Sequence, residues 1–375
     1  MTEVVISGSG LFTPAEAISN AELVAAHSKA VDAWNRAHAD DIASGRLEER
    51  VHSSERFIVK ASGVRSRYVI EKSGILDPDR MRPHLPTRSE DERSIQCEVA
   101  LAAAGEALEQ ARCGGEEIDA VLVACSNLQR AYPAVAVEVQ NALGADGWAY
   151  DLNVACSSAT FALQAAADAI RAGSARRVLV VNPEITSGHN NFALRDYHFI
   201  FGDACTALVV EASEGCRAER PFAVLGTRLR TRFSNNIRND FGFLNASEDE
   251  PRDSSELVFR QRGRQVYREV CPLVAEHILS HLAANGLEPG ELKRMWLHQA
   301  NLGMNELIAR RVLGRPAEKD EAPVILDEYA NTSSAGSVIA FHKTKDDFTA
   351  GEIGMLCSFG AGYSIGSALL RSEVR

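Results

Sequence analysis

The chain has 375 residues, of which 45% are hydrophobic and 24% charged, and its formal net charge is -11. Those proportions describe an ordinary globular protein, either two domains or one large duplicated α/β body. The acidic balance argues against general nucleic-acid binding, and no apolar stretch reaches the length of a membrane span.

The opening MTEVVISGSG carries an acidic residue, and its apolar run is too short for a secretory core. The eight cysteines are scattered, with no CxxC pair. That spacing fits reduced thiols in a cytoplasm rather than a disulfide frame or a zinc site, and no metal is expected. Cys125, Cys205 and Cys357 sit in strand-like apolar runs and read as packing residues.

In chain order, residues 4–6 read as a strand. Gly8-Ser9-Gly10 follows, lacks the third glycine of a dinucleotide fingerprint because Thr13 stands there, and reads as a turn. Residues 28–52 are polar and helix-compatible. Residues 76–93, with three prolines and many charges, read as a surface excursion. A helix is expected over 94–111, with Ser94 as its cap, then a strand over 120–125 and a helix over 134–143. The apolar run 148–154 leads into Cys156, which is followed by Ser157, Ser158, Ala159 and an Ala-rich helical stretch. Strands are expected over 177–181 and 206–210.

The second half begins near Pro221, with a strand over 222–225 and a long helix over about 260–284. A strand over 295–298 and a helix over 301–313 follow, then a short apolar segment at 324–326. Runs at 353–359 and 363–370 close the pattern. This alternation predicts layered α/β structure with a largely buried sheet. His277 and His281 share a helix face, but no HExxH motif surrounds them, so they read as structural or exposed.

The two halves resemble each other. DLNVACSSA at 151–159 matches DEYANTSSA at 327–335, and LVACSN at 122–127 faces WLHQAN at 296–301. The same order in both halves points to a duplication, 1–215 and 216–375, that brings equivalent loops to one site. Cys156 is expected to open a helix, where unpaired N–H groups and the helix dipole stabilise a thiolate. His298 ends a strand, and Asn331 precedes the equivalent helix. Cysteine proteases also use Cys, His and Asn, but their local cysteine signature is absent here.

This assembly resembles the β-ketoacyl-acyl-carrier-protein synthase III family of thiolase-fold condensing enzymes. The Cys156 segment, HQAN, NTS and the terminal SFGAGYSIGSALLR stand in the family's order across nearly the whole chain. The resemblance implies a duplicated five-layer α-β-α-β-α fold. It also implies acyl transfer to Cys156, then decarboxylative condensation with a malonyl thioester whose enolate oxygen His298 and Asn331 stabilise. By resemblance, the N–H groups of Cys156 and Ala361 form an oxyanion hole in the Gly360-Ala361-Gly362 turn; taken alone, that turn is a hairpin.

The segment SSERFIVKASGVRSRYV at 53–69 resembles the family's coenzyme A contact. Phe57 replaces the usual stacking tryptophan and Ala61 the usual arginine, with Lys60 as a substitute charge. Asn301 resembles a residue that bonds the pantetheine arm. Coenzyme A and carrier thioesters are expected as substrates, with no separate cofactor. An acidic acyl carrier protein would dock on local cations, for which Arg268, Arg310, Arg311 and Arg315 are candidates. The segments 28–52 and 76–93 read as insertions that remodel the pocket mouth. The whole pattern looks like the subgroup that primes with medium-chain acyl-CoA, such as octanoyl giving a ketodecanoyl product. Homodimers with a continuous sheet are implied too.

Two alternatives remain. Glu184 in NPEIT can be the base of a non-decarboxylating, hydroxymethylglutaryl-CoA synthase-like enzyme, although a structural ion pair suits it better. A non-catalytic acyl-CoA or carrier-binding protein would not need all of Cys156, His298 and Asn331.

Overall fold

The structure is a computed structural model that describes residues 2–374. Its first strand, β1 (Val4–Phe12), contains Gly8 and Gly10, so these glycines are not the expected turn. A Cβ at either would strike the backbone carbonyl of Ala107 or Ala103, so glycine lets the helix Ile95–Ala111 lie directly on the strand. A two-stranded sheet, β2 (Glu16–Ser19) with β3 (Ser66–Val69), brackets α1 (Asn20–Ala37), α2 (Ala39–Ala43) and α3 (Glu55–Ser62). After α4 (Ser73–Leu76), residues 77–93 form neither helix nor strand, as their prolines and charges predict.

Helix α5 (Ile95–Ala111) starts as expected on Ser94, whose hydroxyl accepts from the Cys97 N–H at 3.1 Å. Strand β4 (Ala120–Ala124), α6 (Val135–Leu143) and β5 (Trp148–Leu152) follow. Helix α6 has no side-chain cap at its own start. Asp151 reaches over from β5 instead, accepting from the Val135 and Ala136 N–H groups at 2.8 Å each. Helix α7 (Ser158–Arg171), β6 (Arg177–Glu184) and β7 (Ala204–Ala212) come next.

Strand β8 (Phe222–Ser234) runs far beyond the four residues expected. Its outer half alternates exposed Arg228, Arg230 and Arg232, so charge hides the strand signal. A small pair, β9 (Ile237–Arg238) and β10 (Arg260–Gln261), flanks α8 (Ser254–Leu257). The long helix α9 (Gly263–Ala284) leads to β11 (Leu292–Leu297) and α10 (Leu302–Leu313). The apolar segment near 324 turns into α11 (Leu326–Tyr329), then α12 (Ala335–Thr344) and a closing hairpin, β12 (Ile353–Gly360) with β13 (Gly362–Ser372).

Nine strands join in the order β11-β12-β13-β8-β1-β7-β6-β4-β5. The join between halves is thin, since β1 and β8 pair only at Val5–Ala223 and Ile6–Phe222. Helices α7 and α12 lie in the middle layer. Leu163 of α7 and Ile339 of α12 share one buried cluster with Leu122 and Val180 from one half-sheet and Trp296 and Leu356 from the other. Helices α5 and α6 cover the outside of the first half, and α9 and α10 the outside of the second. The layers therefore run α-β-α-β-α, and the two middle helices point their starts at one place. Each is entered through a residue in the left-handed region, Ala155 at φ +47 and Ser333 at φ +48.

Candidate active site

Cys156 does not open α7. It stands on the turn two residues before the helix, with Ser157 at the cap position. Ser158 Oγ accepts from the Val154 N–H at 2.8 Å and donates to the Ala155 carbonyl at 2.7 Å, which fixes that turn. His298 directly follows β11, and its N–H donates to the Cys357 carbonyl at 2.8 Å. Asn331 is held by its backbone, donating to Ile200 at 2.9 Å and accepting from Gly202 at 3.2 Å. Its side-chain Oδ1 accepts the Ser333 N–H at 2.8 Å, so Nδ2 is left as the donor end of the amide.

Cys156, His298 and Asn331 line one cavity of about 800 Å³, whose apolar wall includes Phe199, Phe201 and Phe359. A Cβ on Gly360 would sit 2.6 Å from Cys156 Cβ and 3.0 Å from Sγ, so only glycine lets β12 end against the thiol. Ala361 occupies the hairpin turn and its N–H faces the sulfur. The hairpin and the donor are thus one feature. Gly362, at φ +129, serves the turn and does not line the cavity.

Burial pushes the Cys156 thiol up to about 11. Ser333 Oγ, 3.5 Å from Sγ, opposes this, the Glu184 charge adds to it, and the Ala361 N–H opposes it again. The expected standing thiolate therefore gives way to a protonated thiol, because desolvation outweighs the helix start. Burial likewise lowers His298 to about 4 against the Ser333 backbone. At neutral pH the imidazole is neutral, with one N–H to donate. Two neutral donors beside a nucleophile can stabilise an oxyanion, and neither is poised as a strong base.

Among the described residues Glu184 makes no ion pair, contrary to expectation, and is held by hydrogen bonds instead. Its carboxylate accepts from the Ser126 N–H at 3.0 Å, Ser126 Oγ at 2.6 Å, the Ser334 N–H at 3.0 Å and Ser334 Oγ at 2.5 Å. It ties together the loops from the two halves that flank Cys156.

Two family models match the chain. One, 3-Oxoacyl-[acyl-carrier-protein (ACP)] synthase III, covers residues 150–231, and its C-terminal counterpart covers 282–372. A Beta-ketodecanoyl-[acyl-carrier-protein] synthase from Pseudomonas aeruginosa is 61% identical over 91% of this chain and 97% of its own length. This chain belongs to the 3-oxoacyl-[acyl-carrier-protein] synthase III family.

A Beta-ketoacyl-[acyl-carrier-protein] synthase III from Erythrobacter litoralis is 29% identical over 99% of this chain and all of its own length. Among solved structures, the priming β-ketosynthase of the R1128 polyketide pathway matches with a TM-score of 0.78 at 25% identity, covering 99% of this chain and 97% of that one. The Aquifex aeolicus 3-oxoacyl-[acyl-carrier-protein] synthase III matches with a TM-score of 0.75 at 25% identity, covering 98% and 99%. As a synthase III family member the chain is an acyltransferase-type condensing enzyme with the thiolase-like fold.

The other expected residues of this synthase divide. Lys60 and Asn301 line the cavity, as does Arg268. Asn301 has a structural load as well: its Oδ1 caps α10 and its Nδ2 donates to the Ala61 carbonyl at 2.6 Å. Phe57 does not line the cavity. Its ring meets Phe199 edge-on, and the Arg195 guanidinium lies 3.7 Å over its face. Arg310 and Arg311 are exposed in the last turn of α10. Arg315 is committed to Glu321 through bonds of 2.7 and 2.5 Å. His277 Nε2 and His281 Nδ1 both meet Ser367 Oγ, at 2.9 and 2.7 Å, so these histidines belong to the core.

Sequence reasoning missed Arg264, which also lines the cavity, and the Arg195 cover on Phe57. Ser333 was visible only as part of the repeated SSA. Its left-handed backbone, which aims the hydroxyl at Cys156, leaves no mark in composition.

Proposed function

We propose that this synthase takes a medium-chain acyl group, such as octanoyl from coenzyme A, onto Cys156 and condenses it with malonyl-acyl-carrier-protein to give a ketodecanoyl product. Cys156 Sγ attacks the thioester carbonyl, the N–H groups of Cys156 and Ala361 hold the oxyanion, and the donor thiol leaves. The malonyl thioester then loses carbon dioxide. His298 Nε2 and Asn331 Nδ2 donate to the enolate oxygen, and the carbanion displaces the cysteine sulfur from the acyl group. The observation that carries this reading is a neutral His298 beside the Asn331 amide: two donors, with the nearby Glu184 carboxylate already committed to four donors. Decarboxylation needs donors and no base. The 61% identical relative, a Beta-ketodecanoyl-[acyl-carrier-protein] synthase, supports the chain length.

The pantetheine arms enter past Lys60 and Asn301, between Gly360 and the start of α10. Arg268, Arg310 and Arg311 supply the cations for an acidic carrier protein. No cofactor beyond the thioester substrates takes part. The chain divides into halves 1–215 and 216–375 in the connector between β7 and β8. A homodimer forms at β5, the terminal strand, which pairs only with β4 and displays Tyr150 at 41% exposure. The cytoplasm is the compartment, in keeping with eight free cysteines and no helix among the described residues long and apolar enough to cross a membrane.

A panel of acyl-CoA donors with malonyl-acyl-carrier-protein tests this. Octanoyl-CoA is expected to be used at least about tenfold better than acetyl-CoA, the order of discrimination that methylene burial provides. A clear preference for acetyl-CoA would sink the medium-chain reading, and carbon–carbon bond formation without malonyl thioester would sink decarboxylation.

A further inference from the structure

Beyond the three side chains assigned above, the geometry points to Ser333 as a further catalytic residue: its hydroxyl donates to the Cys156 sulfur and holds the thiolate that attacks the acyl donor. The inference rests on Cys156 as the nucleophile. The Oγ–Sγ separation is 3.5 Å, and no other side chain among the described residues hydrogen-bonds to that sulfur. The remaining groups facing Sγ are backbone or adverse. The N–H groups of Cys156 and Ala361 approach from the α7 turn and the β12–β13 hairpin. Glu184, at the end of β6, acts through its negative charge and disfavours the thiolate. His298 is neutral.

The local backbone explains how a serine comes to do this. Ser333 stands at φ +48, a conformation that costs energy for a residue with a Cβ. Two anchors hold it there. Its own N–H donates to Asn331 Oδ1, and the next residue, Ser334, is clamped to Glu184 by both N–H and Oγ. One residue therefore serves both half-reactions. Its N–H orients the Asn331 amide, and its hydroxyl reaches the nucleophile. Glu184 fixes the loop yet raises the thiol, and the Ser333 donor offsets that cost at the sulfur.

In the acylation step the Cys156–acyl bond forms and the donor thioester bond breaks. The proton lost from Cys156 ends on the departing thiol, so nothing else is consumed. Ser333 keeps its own proton throughout and acts only as a donor.

The test is the pH dependence of Cys156 alkylation by iodoacetamide, read by peptide mass spectrometry, in wild type, Ser333→Ala and Ser333→Gly. Alkylation needs no acyl donor, so it separates this inference from the proposed reaction. Both variants are expected to alkylate about tenfold more slowly at pH 7.5, with the profile moved up by about one pH unit, as for one lost bond to a charged group. Ser333→Gly relieves the left-handed backbone, so it carries the test if Ser333→Ala folds poorly. A wild-type profile in a folded variant would overturn the inference. So would a slow Ser333→Ala beside a wild-type Ser333→Gly, which would assign the effect to backbone strain. Retained turnover in Cys156→Ala would instead sink the nucleophile assignment itself.

Discussion

At Asn331 the two ends of one amide have separate tasks. Oδ1 is occupied by the Ser333 N–H, and Nδ2 is left to donate. Asn331→Asp should keep the first contact and lose the second. It is expected to slow carbon dioxide release from the malonyl thioester about a hundredfold or more while leaving Cys156 acylation within a few-fold. His298→Ala should behave alike, and equal loss of both half-reactions would contradict the division of roles. Gly360→Ala is expected to do the reverse, because its Cβ would press on Cys156 and obstruct acylation. That Cys156, His298 and Asn331 share one cavity was legible because each sits in a short motif, repeated or ordered between the two halves. Phe57 was not, since what covers it is Arg195, from a distant part of the chain. The protonation state of Cys156 was misjudged for a related reason. A helix start is visible in sequence, whereas the desolvation that outweighs it belongs to the assembled cavity.

Among the elements, glycine in β1 and charge in β8 misled in opposite directions. Gly8 and Gly10 signal a turn locally, but their role is to let α5 approach the strand. Gly10→Ala should destabilise the fold by about 2–3 kcal/mol, an overpacking cost measurable by urea unfolding, and an unchanged midpoint would refute the close approach. In β8 the alternating arginines conceal a strand that pairs with β13 along its whole length and with β1 only at its start. Ser94 was readable because its cap acts within three residues. The cap on α6 was not, because Asp151 supplies it from another strand.

For the whole molecule, the repeated SSA segments pointed to the duplication and the family resemblance to the five layers, in which the helix of each half is buried against its twin. Burial on this scale also keeps several histidines neutral. His27, His189, His277, His281 and His298 are lowered to about 4 and His198 to about 3, each chiefly by desolvation. Unfolded imidazoles take protons near pH 6.5. Between there and about pH 4 the unfolded state binds more protons, and stability falls as pH falls. Asp203, raised to about 6 by burial, opposes this over part of the window, because the native carboxyl protonates first. The histidines outnumber it, so the thermal midpoint should drop by more than about 5 °C from pH 7.5 to 5.5. A flat midpoint would contradict neutral burial.

The proposed function is covalent at its centre: Cys156 carries the acyl group and releases it only to a decarboxylating malonyl thioester. Peptide mass spectrometry after exposure to octanoyl-CoA, followed by a malonyl-acyl-carrier-protein chase, reads it directly. An octanoyl adduct is expected on Cys156 that survives until malonyl thioester is added and then leaves as carbon dioxide and ketoacyl product appear. An unmodified Cys156, or an adduct that discharges into a carbon–carbon bond without malonyl thioester, would contradict it.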